Sequence, residues 1–263
     1  QEHNAINLSQ GFPDFDCAPG LLKLVPKYFN AGLNQYPPMA GVMALRERVV
    51  AKAAALYGAL DDPEHEATIV PGATYGIFTA ITAFVRPGDE VILFEPAYDC
   101  YAPAVEVNGG RPVYVRLQFP DYDIDWQAVQ QAITPKTRMI VINTPNNPTT
   151  SVFSAEDMRA FENMLRNTGI IVVADEVYEH LVYDGHQHQS VARFPGLAER
   201  SFVVSSFGKT YSVTGWKMGY VLAPKELMNE FRKVHQFNVF VTNGPLQYVL
   251  AEYMADPAAY LSL

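Results

Sequence analysis

Seven short runs rich in β-branched and other apolar residues recur along the 263-residue chain: "TIV" (68–70), "EVILF" (90–94), "RPVYV" (111–115), "RMIVIN" (138–143), "GIIVVAD" (169–175), "SFVVSS" (201–206) and "MGYVLA" (218–223). Most lack in–out alternation, the pattern of strands covered on both faces of a mostly parallel sheet. Helical patterns fit between several of them. "SAEDMRAFENMLRNTG" opens on Ser154 as N-cap with Asp157 three residues on. It sets Met158, Phe161, Met164 and Leu165 on one face and is expected to stop near Gly169. "GVMALRERVVAKAAALYGA" (41–59) reads as a second amphipathic helix. Strands alternating with helices predict an α/β fold with helices on both faces of the sheet.

Composition narrows the function classes. Only 18% of the residues are charged, and the net charge is −9. An acidic chain is a poor match for nucleic acid, whose phosphates require a basic face. Cys17 and Cys100 are too far apart for a C-x-x-C or zinc pattern, so neither a disulfide framework nor a metal site is expected. No apolar run has the length of a membrane span, and no membrane partner is expected. The default reading is a cytoplasmic enzyme.

In open α/β sheets chemistry collects where strands end at their carboxyl side. The first run leads into Gly72-Ala73-Thr74 at a helix start, and "EVILF" into "EPAYDCY". "RMIVIN" leads into "TPNNPTT", "GIIVVA" into "DEVY", and "SFVVSS" into "FGKT". Each has a plain reading. Gly72-Ala73-Thr74 is a tight turn, or a place where backbone N–H groups and a helix dipole meet a phosphate. Asp175 caps the next helix, or pairs with a cation, since a buried carboxylate is costly when unpaired. Asn147 belongs to a turn, or donates to an anionic oxygen. Tyr98 and Tyr178 pack, or meet a flat ring. Lys209 is a surface charge, or an amine whose pKa is depressed by its apolar surroundings. A nucleotide P-loop is excluded, because Val203 stands where that motif needs its first glycine.

Taken together these groups describe one ligand. It has a phosphate for the Gly72 turn and Lys217, a ring for Tyr98 and a basic nitrogen for Asp175. It also has a phenolic oxygen for Asn147 and Tyr178, and an aldehyde for Lys209. Pyridoxal 5′-phosphate carries every one of them.

The stretches "INLSQGFPDF", "NQYPPMAG", "PGAT", "EPAYDCY", "NTPNNPTT", "ADEVYEHLVYDG", "SSFGKTYSVTGWKMGY" and "KVHQF" resemble the class I/II aminotransferases of pyridoxal-phosphate fold type I. The resemblance is strongest to their methionine and kynurenine (glutamine transaminase K) branch. It implies a three-layer α/β/α large domain over 36–263. It also implies an N-terminal segment, 1–35, shared with a small domain and the substrate pocket, and a C-terminal small domain largely absent from this chain. Lys209 would then form the Schiff base and carry the proton. Asp175 would face the ring nitrogen, Tyr178 and Asn147 the phenolic oxygen, and Tyr98 the ring face. Ala73, Thr74, Ser206 and Lys217 would hold the phosphate, with Tyr36 reaching a neighbouring subunit's phosphate in a homodimer whose active sites lie at the interface. Gly11 and Asn147 would meet the substrate.

The implied activity moves the α-amino group of methionine, an aromatic amino acid, kynurenine or glutamine to a 2-oxo acid. A cysteine-conjugate β-lyase and a catalytically silent cofactor-binding sensor are the competing readings. None of the eleven arginines stands in the context of the family's carboxylate-binding arginine, and Tyr75 stands where many relatives place an acidic or amide residue.

Overall fold

The computed structural model describes residues 11, 13 and 15–263. Most of "INLSQGFPDF" and the first ten residues of the expected 1–35 segment lie outside the described residues. All seven apolar runs are strands: β1 (Ala67–Val70), β2 (Glu90–Glu95), β3 (Arg111–Arg116), β4 (Thr137–Asn143), β5 (Ile171–Asp175), β6 (Ser201–Ser206) and β7 (Gly219–Leu222). They form one sheet in the order β1-β7-β6-β5-β4-β2-β3. Strand β7 runs antiparallel to β1 and β6, and every other pair is parallel.

The helices in chain order are α1 (Pro19–Phe29), α2 (Met43–Tyr57), α3 (Ala73–Phe84), α4 (Tyr101–Glu106), α5 (Trp126–Ala132) and α6 (Ala155–Leu165). They continue with α7 (Pro195–Ala198), α8 (Phe207–Thr210), α9 (Lys225–Asn238), α10 (Gly244–Tyr253) and α11 (Ala258–Leu261). Alternate residues of each strand face opposite sides. Val70, Leu93, Val141, Val173, Val204 and Val221 pack under Ile77 and Ile81 of α3, Val105 of α4 and Phe231 of α9. On the other side Ile140, Ile142 and Val172 meet Val129 of α5 and Met158, Phe161 and Leu165 of α6. Toward the β1 edge, Ile69, Tyr220 and Leu222 meet Leu21 of α1, Leu45 and Val49 of α2, and Leu250 of α10. The result is three layers, as the runs of β-branched residues predict.

Local details follow the sequence, with two corrections. Ser154 and Asp157 form a capping box at the start of α6, the serine hydroxyl accepting from the Asp157 N–H at 3.1 Å and the carboxylate accepting from the Ser154 N–H at 2.8 Å. The helix nevertheless ends at Leu165, short of Gly169. Asn167 takes the left-handed turn at φ 65° and the Thr168 hydroxyl binds the Leu165 carbonyl at 2.8 Å. The second correction concerns β3, which is not covered on both faces: Arg111 and Arg116 are exposed and Tyr114 is 49% exposed. It is the edge strand, where charge and Pro112 discourage pairing with another chain.

Two features of this topology prepare a site. The parallel strands β4, β5 and β6 end at one rim, with Asn143 in register with Asp175. Strand β7, entering backwards, starts at that rim, where Gly219 sits in register with both Ser206 of β6 and Val70 of β1. The connection 207–218, which carries Lys209 and Lys217, therefore leaves and returns at adjacent points.

Candidate active site

At the β1 end of the rim, Gly72 holds φ 95° and hands the chain to α3, whose first N–H groups have no side-chain cap. A Cβ at Gly72 would lie 3.3 Å from Lys217 Nζ, so the ammonium rests against the start of this helix. Close approach also depends on Gly219, where a Cβ would come within 2.7 Å of the Ser205 carbonyl oxygen and 3.1 Å of the Ala73 nitrogen. Lys217 itself sits in the left-handed region, at φ 54° and ψ 51°. A cation beside the positive end of a helix dipole is unfavourable unless an anion joins them. Ser206 caps α8, its Oγ accepting from the Gly208 N–H at 3.0 Å. Ala73 is half-buried and Thr74 exposed.

In the middle of the rim, Asp175 is buried at 4% exposure. Its Oδ2 accepts from the Tyr101 hydroxyl at 2.6 Å and its Oδ1 from the Val177 N–H at 3.3 Å. Burial pushes its carboxyl up to about 6, against the lowering effect of those two bonds. Among the described residues no cationic side chain pairs with it. Asn143 braces the neighbourhood: its amide donates to the Asp175 carbonyl at 2.9 Å, and its Oδ1 accepts from the Asn147 N–H at 2.7 Å. Asn147 and Asp175 are thus tied through one side chain. Tyr98 meets Tyr101 edge-on, with ring centroids 5.8 Å apart. Burial, then Asp175 and Tyr98, raise the Tyr178 phenol, so it stays a donor.

Lys209 follows β6 in the single turn α8. Its Nζ donates to the Gly11 carbonyl at 2.7 Å and lies 5.5 Å from the centroid of the Tyr178 ring. Burial alone holds its pKa below the ordinary amine value. Ser212, in the same connection, donates to the Phe15 carbonyl at 2.5 Å, so Gly11 and Phe15 are both held to this loop. Tyr36 stands apart, 80% exposed and edge-on to Phe240 at 5.6 Å. Among the described residues no hydrogen bond or ring contact joins it to the other candidates.

Sequence reasoning missed Tyr101, Asn143 and a buried cluster behind the rim. There Lys52 of α2 binds Glu179 at 2.6 Å and the Tyr220 hydroxyl at 3.0 Å. The Tyr57 and Ser205 hydroxyls donate to the same carboxylate at 2.5 and 2.6 Å. Glu179 follows Tyr178, Ser205 precedes Ser206 and Tyr220 follows Gly219, so this cluster grips the reverse side of the rim. A lysine one helical turn from Val49, on the apolar face of α2, was the available signal. Tyr75 also has a role. Burial keeps His235 of α9 below its ordinary value, hence neutral; its Nε2–H donates to the Met39 carbonyl at 3.1 Å. Its Nδ1 then accepts from the Tyr75 hydroxyl at 3.1 Å, which pins α3 to α9.

Residues 3–262 match the family model for aminotransferase class I and II, and the chain belongs to that family, whose members depend in general on pyridoxal phosphate. It is 46% identical over 264 residues to methionine aminotransferase of Escherichia coli, covering all of this chain and 68% of that one. It is 38% identical over 280 residues to kynurenine–oxoglutarate transaminase 1 of Mus musculus, covering 99% of this chain and 66% of that one. The crystal structure of YbdL, an Escherichia coli protein identified as a methionine aminotransferase, superposes with a TM-score of 0.97 over the whole chain and 70% of its own length. The chain thus spans about two thirds of the length of these relatives.

Proposed function

We propose that the rim binds pyridoxal 5′-phosphate and that the protein to which this chain belongs is a transaminase. It would move the α-amino group of methionine, an aromatic amino acid, kynurenine or glutamine to a 2-oxo acid. The observation that carries this reading is Lys217 set against the uncapped start of α3, on the same rim as a buried Asp175 that has no cationic partner among the described residues and a Lys209 whose pKa burial lowers. These residues fit the cofactor's groups. The α3 N–H groups at Ala73 and Thr74, with Ser206 and Lys217, suit a phosphate dianion. Asp175 suits a protonated ring nitrogen, Tyr98 suits the ring face, and Tyr178 and Asn147 suit the phenolic oxygen.

When bound, the cofactor supplies a cationic ring that withdraws electrons from the substrate Cα. The remaining work falls to the chain. Asp175 holds its negative charge beside the ring nitrogen, a stabilisation that a water-poor pocket strengthens. Lys209 Nζ, whose pKa burial holds below the ordinary amine value, would take the proton from the substrate Cα and hold it for return. Gly11, and Asn147 from the loop after β4, would orient the substrate. Residues 36–263 would form the cofactor domain, and 1–35 would bridge to a small domain. In a homodimer, exposed Tyr36 would reach the partner's phosphate. Two part-buried free thiols, Cys17 and Cys100, suit a reducing, cytoplasmic compartment.

The test is a visible absorption scan with added pyridoxal phosphate, before and after methionine. The expected result is a new band that changes on adding methionine and is missing in Lys209→Ala. A protein that forms no band would overturn the reading. Pyruvate and ammonia from a cysteine conjugate, without amino transfer, would replace it with the lyase.

A further inference from the structure

The hydrogen bond between Tyr101 and Asp175, 2.6 Å long, joins two buried side chains. Tyr101 is 3% exposed and opens α4, and its ring lies in the core with Ile77, Leu93 and Val141. Its hydroxyl is directed at Asp175 Oδ2 from the neighbouring helix, whereas Oδ1 has only the long bond from the Val177 N–H among the described residues. An ionised carboxylate accepts about four hydrogen bonds. Asp175 therefore keeps accepting capacity on Oδ1 while Oδ2 is held by a rigid donor.

We propose that Tyr101 is a positioning residue for the reaction: by fixing one oxygen of Asp175 it keeps that carboxylate ionised and turned for a cationic ring. This rests on the cofactor reading above. The other titratable groups facing Asp175 act against ionisation or not at all. Glu176, next in the chain, repels it, and Cys100 and Tyr178 are themselves raised by its charge. Among the side chains around the carboxylate, the Tyr101 hydroxyl is the one that favours the anion. Its own proton is secure, because burial and then Asp175 hold the phenol well above its ordinary value.

The edge-on contact of Tyr98 with the Tyr101 ring adds a second consequence. The residue expected against the cofactor's ring face and the one expected beside its nitrogen are both seated on Tyr101. A single buried tyrosine sets two walls of the pocket.

The test compares wild type, Tyr101→Phe and a fluorinated tyrosine at position 101, each as the purified full chain. Cofactor dissociation constants are measured by fluorescence titration with pyridoxal phosphate from pH 5 to 9, flanked by melting curves without cofactor. Tyr101→Phe keeps the ring and removes only the donor. Its affinity is expected to fall about tenfold or more near neutrality, as for a lost bond to a buried charge. The acid limb, which in wild type begins where Asp175 takes its proton near 6, is expected to move to higher pH. The fluorinated residue, a stronger donor of the same shape, is expected to move that limb the other way.

Equal affinities and superposed pH profiles in all three proteins, with unchanged melting, would overturn the proposal and leave the cofactor reading intact. A fluorinated protein that shifts the limb in the same direction as Tyr101→Phe would also overturn it. Failure of wild type itself to bind the cofactor would instead refute the underlying reading. Should Tyr101→Phe not fold, the fluorinated and wild-type proteins alone decide.

Discussion

Asp175 and Glu179 lie four residues apart on one turn, both at 4% exposure, and the fold treats them oppositely. Glu179 is saturated from within. Burial would raise it, but the Lys52 charge and the bonds from Lys52 and Ser205 outweigh that and hold it below the ordinary carboxylate range. Burial would likewise lower Lys52, and the Glu179 charge outweighs it. Among the described residues Asp175 receives a hydroxyl and a backbone N–H but no cation, and burial raises its carboxyl to about 6. The difference separates two uses of a buried charge. A closed pair secures the frame, and an open one costs stability until something cationic arrives. The same contrast holds for the cations: Lys52 is paired with Glu179, whereas among the described residues Lys209 meets a carbonyl and a ring face and Lys217 the positive end of a helix.

The largest expected effect breaks the closed pair. Lys52→Met strands the Glu179 carboxylate in the interior and should cost about 3–5 kcal/mol in chemical denaturation. Lys52→Met combined with Glu179→Leu should recover part of that loss; strictly additive losses would mean that the two residues do not act as a pair. Next is the open charge. Asp175→Asn should leave the cofactor-free chain as stable at neutral pH or more so, by up to about 3 kcal/mol, since the carboxyl stands roughly two pK units above its usual 3.8.

The sign is specific. A group raised on folding contributes stability that is present below its unfolded pKa and lost as pH climbs through the folded one. Wild type should therefore lose ground to Asp175→Asn between about pH 4 and 6 and hold a constant gap above that. A melting comparison across pH with no such gap would remove the contrast with Glu179. The same variant should lose pyridoxal phosphate affinity at least tenfold.

Smaller effects sharpen the boundary between the two regions. Gly72→Ala must hold φ 95° with a methyl 3.3 Å from Lys217 Nζ, and should cost roughly 1–3 kcal/mol together with weaker binding of the cofactor's phosphate. Ser154→Ala removes the α6 cap, which makes no hydrogen bond to either carboxylate among the described residues. It should cost about 1 kcal/mol in denaturation and leave cofactor binding unchanged.

Much of this was legible in the chain itself. Seven strands could be read because each is a short apolar run, and five of them lead into polar or aromatic residues at the rim. Their order could not. "MGYVLA" reads the same whether β7 runs with or against its neighbours, and only the pairing of Val70 and Ser206 with Gly219 shows the reversal. Lys209, Asp175 and Lys217 were legible because charge at the edge of an apolar run is costly and demands a reason. Tyr101 was not, since a tyrosine on the buried face of a helix is an ordinary packing residue until its hydroxyl is located. Lys52 was masked by amphipathicity, which takes any lysine on a surface helix as its solvated face. Asn143 looked like the last residue of a strand, and its bracing role depends on a register that sequence does not carry.

The most direct test of an open rim is reductive trapping. Pyridoxal phosphate is added to the protein, the mixture is reduced with borohydride, and the labelled peptide is identified by mass spectrometry. The expected label falls on Lys209 alone, with Lys217 and Lys52 unmodified, and disappears when Lys209 is replaced by alanine. A label spread over surface lysines, or one that survives in Lys209→Ala at the same yield, would contradict the assignment.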